Sequence, residues 1–347
     1  MRRILGFVLL GLGVFAVALG LLLRLYAYPR LAKAPLDPKT VSVATGSGIT
    51  ALVIVRQSNG AALPEIRTNL DVTANRYVSG DLTQPEVVED GDVASWIEAV
   101  EVVDQNGNLI RATERQLCVD RRTNEAVENC QIRYVKTKTD SSFTGAIRED
   151  NINQPGLNLK FPFDTEKHDY AVFDLSIRDA TDARFEAEEE IDGLTVYRFV
   201  QDIQPRKLEE RDVPGSLVGR SEPTVKADLY YQVRRTMWVE PATGQIIKGS
   251  EDQRQELVRS DQSPGQGTVV FGGTLTFTDE TVGKNVADAK ENRSKLWLLT
   301  TLPIFLWIGG VLLILAAVAL LLLGRGGSGG FVQGSTPPQE RQLTGAR

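Results

Sequence analysis

The sequence predicts a mainly β, antiparallel domain, strongly curved or partly closed into a barrel, set between two transmembrane helices with a late α-helical stalk. Three observations carry this reading. Two long apolar runs, 4–23 and 296–323, bracket the chain and hold no charged side chain. Between them, apolar residues recur at every second position in several long stretches, the period of a half-buried strand. Short signals rich in Gly, Asn and Asp separate those stretches, as tight hairpins require.

At about 1.5 Å of rise per residue, each apolar run reaches across a hydrocarbon core of about 30 Å. The expected organisation is a cytoplasmic N-terminus at 1–3, a first span at 4–23 and an extracytoplasmic β-rich domain at 24–278. A stalk follows at 279–295, then a second span at 296–323 and a disordered cytoplasmic tail at 324–347. Met1-Arg2-Arg3 ahead of the first run and Ala32-Lys33-Ala34 behind it also fit a cleavable signal. The length of the run and Pro35 just after the small-residue site favour an uncleaved anchor; cleavage would leave one span and the same domain outside. Basic residues flank both spans on both sides, so they orient the chain weakly.

The clearest strand is 225–239. Its odd positions read Val225, Ala227, Leu229, Tyr231, Val233, Arg235, Met237, Val239, and its even positions are mostly polar. The stretch 268–277 repeats the pattern with Val269, Phe271, Leu275 and Phe277, and 66–74 with Ile66, Leu70, Val72 and Ala74. Asn106-Gly107 joins 96–103 to 109–117, Asp192-Gly193 joins 184–191 to 194–203, and Glu240-Pro-Ala-Thr-Gly244 returns the long strand into 245–259. Strands joined this way form antiparallel sheet, and strands this long need curvature. The stalk helix opens on Asp279-Glu280, which are expected to cap its start and favour its dipole. Pro303 falls within the second span and predicts a kink.

The chain carries a net charge of −6, and nearly all of its 45 acidic side chains lie between the spans. Such a domain is not built to grip nucleic acid phosphates or to lie on anionic lipid. Its two cysteines, Cys118 and Cys130, stand close together between strand-like segments. Their spacing predicts a disulfide clipping a hairpin loop, worth roughly 2–3 kcal/mol, with two unlinked buried thiols as the alternative. A disulfide places the domain in an oxidising compartment.

Catalytic signatures are missing from the sequence. The one histidine, His168, lies among charges in a turn-like stretch, and neither a nucleophile elbow nor a P-loop lysine is present. Asp104-Gln-Asn-Gly-Asn108 begins like a calcium loop but has Leu109 where glycine is needed, so it reads as a hairpin turn. Glu186–Asp192 offers carboxylates for cation binding or glycoside chemistry, with a solvated hairpin end as the simpler reading. No cofactor and no metal is expected. Aromatic residues on several strands, Tyr170, Phe173, Tyr197, Phe199, Tyr231 and Phe271, are candidates to line a cavity for an acyl chain or isoprenoid, with ordinary core as the alternative.

Two terminal spans, Cys118-Val-Asp-Arg-Arg-Thr with Cys130, Lys160-Phe-Pro-Phe-Asp164 before Tyr170, and Trp238-Val-Glu-Pro-Ala-Thr-Gly244 together resemble the actinobacterial PorA-like envelope family. Some members, of LmcA type, are associated with lipomannan and lipoarabinomannan maturation. The resemblance implies a plasma-membrane protein whose β-rich domain assists lipoglycan assembly by holding a lipid or lipid-linked glycan. The leading expectation is therefore a non-enzymatic, lipid-binding accessory with an apolar cavity open near the membrane. A scaffold or sensor recruiting a membrane glycosyltransferase and a carboxylate-dependent glycan-active enzyme are the alternatives. Porin activity ranks last, because a membrane barrel needs many lipid-facing strands.

Overall fold

The computed structural model describes residues 2–56, 62–89, 91–128, 130–138 and 147–323; the predicted tail at 324–347 lies outside them. The described chain forms two compact units, one from the apolar helices and one spanning Pro29–Trp297.

In the first unit, an α-helix at Arg2–Leu21 continues through a wider turn at Leu22–Ala27 and packs against a second helix at Leu302–Leu323. Gly6, Gly13 and Gly20 are buried at seven-residue spacing, and Pro303, Gly310 and Ala317 are buried at the same spacing opposite. A Cβ on Gly13 would stand 2.8 Å from the carbonyl oxygen of Gly310. Small residues of this kind let two helices in lipid bring their backbones together. The chain breaks at Thr301 rather than kinking at Pro303 itself, because the proline has no N–H to donate back.

The second unit is built on one twelve-stranded antiparallel sheet curled into a half-barrel. Its strands are β1 (Thr40–Arg56), β2 (Ala62–Gly80), β3 (Val93–Asp104), β4 (Leu109–Asp120), β5 (Tyr134–Lys138), β6 (Ile147–Asp150), β7 (Tyr170–Asp174), β8 (Asp179–Ile191), β9 (Leu194–Pro214), β10 (Thr224–Glu240), β11 (Gln245–Val258) and β12 (Thr268–Phe277). The spatial order is β6-β5-β4-β3-β2-β1-β12-β11-β10-β9-β8-β7. Two six-stranded meanders thus meet where the first strand pairs with the last, and 151–169 connects the two outermost edges. The three hairpins read from Asn106-Gly107, Asp192-Gly193 and Glu240–Gly244 join β3 to β4, β8 to β9 and β10 to β11. Gly107, Gly193 and Gly244 all have positive φ. Register shifts within seven of the eleven strand pairings mark bulges, which bend strands and increase twist.

Directly paired residues share a face, so register follows one face across the sheet. Tyr231 pairs with Gln255, and Gln255 with Phe271. On the other wing, Val78 pairs with Glu98, and Glu98 with Arg115. Ala74 pairs with Ala44 and Ala44 with Phe277, which joins the two rows. This face is the inner one. The odd positions of β10 lie on it, and all are buried except Val225 and Arg235, which are half-buried.

The helix read as a stalk runs over Asp279–Thr300. Its first turns dock on the outer face of the sheet, where Val286 and Ala289 pack against Leu194, Val196 and Ile247. Asn285 donates to the carbonyls of Ile246 and Ile247. Thr278, rather than the expected acidic pair, caps the helix through its hydroxyl, which accepts from Thr281 N, and Asp279 and Glu280 occupy the first turn.

Candidate functional site

One end of the inner face is filled by the crossing segment 151–169. Leu157 and Phe161 pack there against Val172, Ala183, Phe199, Met237 and Val239. Phe161 N donates to Gly244 O at 2.9 Å, and Thr165 N to Pro241 O at 2.8 Å. Gly244 has a φ of +70°, and a Cβ on it would stand 2.1 Å from Phe161 O, so only glycine fits. The Glu240 carboxylate closes the same turn, accepting from Thr243 N and Thr243 Oγ1. From the third side, Asn124 Nδ2 donates to Phe161 O and Ala126 N to Gly156 O. Asn124 lies in the loop that the Cys118–Cys130 disulfide closes, with the two Cα atoms 5.7 Å apart. The three motifs that suggested the family in sequence therefore meet at one packing junction.

Lys160 sits at its edge, half-buried, with Nζ 3.1 Å from Phe161 O and 3.8 Å from the centre of the Phe163 ring. Burial pulls its ammonium down to about 7, against the opposing charge of Glu240.

A polar belt crosses the middle of the inner face. On one wing, Glu98 pairs with Arg76 and with Arg115, the latter at 2.6 Å. Arg115 also reaches Gln154 and Asn158 of the crossing segment. Burial pushes the Glu98 carboxyl up, but the two guanidinium groups outweigh it and hold it at about 2. On the other wing, Asp174 Oδ2 accepts from Tyr231 Oη at 2.8 Å and from Arg235 Nη2 at 3.0 Å. Arg235 continues to Glu251 and Gln201. Burial raises the Tyr231 phenol far above its ordinary range; Arg235 opposes this and Asp174 adds to it.

Beyond the belt the inner face carries two aliphatic clusters, with Arg211 and Glu209 paired beside Ala227 and Leu229 of the second. Ile49, Ala51, Val53, Leu70, Val72 and Ile110 form one cluster, with Phe271 and Leu275 half-buried against it. Val213, Ala227, Leu229, Leu257 and Val270 form another, touched by Leu217 and Val218 of the short turn Gly215–Val218.

The six aromatic candidates are divided among these regions. Tyr170, Tyr197 and Phe199 belong to the filled end, with Phe199 and Phe161 stacked at 4.7 Å. Tyr231 is locked into the polar belt, Phe173 is buried with the Arg115 guanidinium 5.6 Å from its ring centre, and only Phe271 faces the aliphatic end. They do not form one continuous lining. A shallow pocket of about 330 Å³ lies elsewhere, lined by Val41, Tyr77, Ala99, Glu101, Glu114 and Lys136 among others, and none of the six touches it.

Sequence reading missed the polar belt and the junction. Arg235 in the buried row of 225–239 was the one visible sign of the first; the second depends on contacts between distant segments. The other acidic features resolve into local structure. Asp104 Oδ1 accepts from Asn106 N and Asn108 N in the hairpin turn. Glu186, Glu188 and Glu189 pair with Arg198, Lys167 and Arg198 respectively, and Glu189 also accepts from Trp238 Nε1. His168 is exposed and stacks on Tyr170. No group of three or more His, Cys, Asp or Glu among the described residues could hold a metal ion.

A curled antiparallel sheet with a half-apolar inner face, carried on a chain with two helices long and apolar enough to cross a membrane, defines a β-rich protein with two candidate spans. The chain belongs to the PorA family, whose model, described as Porin PorA, matches residues 5–319. Among its relatives is a Porin PorA of Corynebacterium amycolatum, 22% identical over 379 residues, covering 90% of this chain and 96% of that one. Another is a Porin PorA of Corynebacterium resistens, 23% identical over 283 residues, covering 63% of this chain and 68% of that one. Family and helices together make it a porin-like protein of the cell envelope.

Proposed function

We propose that the domain is a non-enzymatic envelope accessory that holds the apolar part of a lipid or lipid-linked glycan against its inner face, in the service of lipoglycan assembly. The observation that carries this is the aliphatic end of a curled sheet, where Phe271 and Leu275 remain half-buried beside Ile49, Val53 and Leu70. In this reading the chain is anchored in the plasma membrane by both helices, with both termini cytoplasmic and the β-rich domain outside. The Cys118–Cys130 disulfide supports that placement, since such bonds persist in oxidising compartments. A pore through the sheet suits the molecule less well. The outer positions of β8 to β10 carry ion pairs such as Lys226–Glu210 and Lys207–Asp228, whereas a lipid-facing barrel presents an apolar band.

The test is native mass spectrometry of the full-length chain released from neutral detergent, followed by lipid extraction. A stoichiometric co-purifying lipid is the expected result and would name the substrate class. A chain that arrives empty and takes up neither polyprenyl phosphate nor phosphatidylinositol overturns the reading. It would leave a scaffold for a membrane glycosyltransferase as the better account.

A further inference from the structure

Arg111 stands out on the inner face. It pairs with Val102 across β3 and β4, and unbroken register from there to Glu98 and Arg115 puts it on the same side as those two. Its strand neighbour Ile110 and its cross-strand partner Val102 both belong to the aliphatic cluster. Asp174 and Tyr231 of the polar belt, and Arg211, lie near enough to act on its charge. The cations of the belt are fully engaged: Arg76 and Arg115 share Glu98, and Arg235 holds Asp174 and Glu251. Arg111 differs. Half-buried, it makes no hydrogen bond or ion pair with any described residue. The carboxylate of Asp174, which feels its charge, is already bonded to Tyr231 and Arg235.

None of the Arg111 guanidinium nitrogens is sealed from solvent, so the donors are open to an incoming group. Its planar fork of donors matches a phosphate or carboxylate in two-point geometry. Arg211 is exposed and already paired with Glu209, so it leaves the fork of Arg111 open. The position lies where the polar belt gives way to the aliphatic end, which is where an amphiphile changes from head to tail.

We infer that Arg111 binds the anionic head, phosphate or carboxylate, of a lipid whose tail lies along the aliphatic end of the inner face. The inference rests on the lipid-holding function proposed above and narrows it to anionic lipids. A neutral lipid of equal tail length would gain the apolar contact alone.

The full-length chain in neutral detergent is offered phosphatidylinositol or diacylglycerol with the same acyl chains, and retained lipid is counted by native mass spectrometry. The unmodified chain should hold phosphatidylinositol about tenfold better, the scale of one charge-assisted contact. Arg111→Gln should abolish that preference and leave diacylglycerol retention unchanged; Arg111→Lys should keep part of it. A preference that survives Arg111→Gln overturns the assignment. So does an equal loss of both lipids in both variants, because charge would then not be what the position supplies. If the unmodified chain holds neither lipid, the lipid-holding function itself fails and the inference with it. Millimolar inorganic phosphate is the last arm: binding to Arg111 as tight as that of the lipid would show a site for free anions and overturn the lipid-head assignment.

Discussion

Phe199 and Phe271 occupy the same face of the same sheet, yet their surroundings differ. Phe199 is 0% exposed, stacked on Phe161 and held beneath the crossing segment 151–169. Phe271 is half-buried beside an aliphatic cluster that this segment does not reach. The first end is finished by the chain itself, through a glycine that nothing larger can replace and a carboxylate that closes a turn. The second end is lined but left less completely covered among the described residues. The number of aromatic side chains is therefore a poor guide to where a ligand lies. Three of the six aromatic candidates, Tyr170, Tyr197 and Phe199, consolidate the sealed end, and the ligand surface proposed here is chiefly aliphatic.

The sharpest way to break this contrast is to truncate both rings. Phe199→Ala should lower unfolding free energy by about 3–5 kcal/mol, and Phe271→Ala by about half as much, read from denaturant midpoints. Only Phe271→Ala should weaken lipid retention; equal losses of stability from the two variants would mean that the ends are sealed alike. The polar belt between them comes next. Glu98→Gln should cost about 3 kcal/mol by leaving Arg76 and Arg115 without their shared carboxylate. Glu98 titrates at about 2 in the fold against an ordinary 4.5. Its contribution is thus complete above pH 4.5 and lost as pH falls toward 2. Acid unfolding of the Gln variant should lack that component.

Removing the disulfide with Cys118→Ser and Cys130→Ser should cost roughly 2–3 kcal/mol. Hydrogen exchange should then rise first in the loop that carries Asn124, at the sealed end. Lys160 responds to pH in a higher window than Glu98. With its folded value near 7 against an ordinary 10.5, the unfolded chain binds the extra proton between those limits. Stability should therefore rise with pH across that window. Thermal melts at pH 6, 8 and 10 should show the rise, and Lys160→Met should flatten it.

Local pattern made much of this architecture legible. The alternation of 225–239 marks the inner face of β10 residue by residue, and the three turn sequences mark three hairpins. It fails where bulges intervene. In β12 a register shift beside Val269 turns Val270 inward as well as Phe271, which a strict period of two does not foresee. In β2, Asn69 adopts positive φ, so Ile66 joins one cluster while Leu70 and Val72 join another. The heptad of Gly6, Gly13 and Gly20 is written in the sequence, but small residues in an apolar run do not say what they pack against. Arg111 was the least legible of all. An arginine in a strand ordinarily points to water, and only the curl of the sheet turns this one inward.

The strand order also sets a timetable. Each meander is made of neighbours in sequence, so its hairpins can form as the chain emerges, whereas the seam between β1 and β12 joins the first strand to the last. One edge of β1 consequently stays without its partner until synthesis of the domain is nearly complete. Contacts so distant in sequence form slowly, and an unpaired strand edge is a template for joining another chain. The vulnerable moment of this protein is therefore late in its biogenesis, and it falls on a surface that the finished sheet hides.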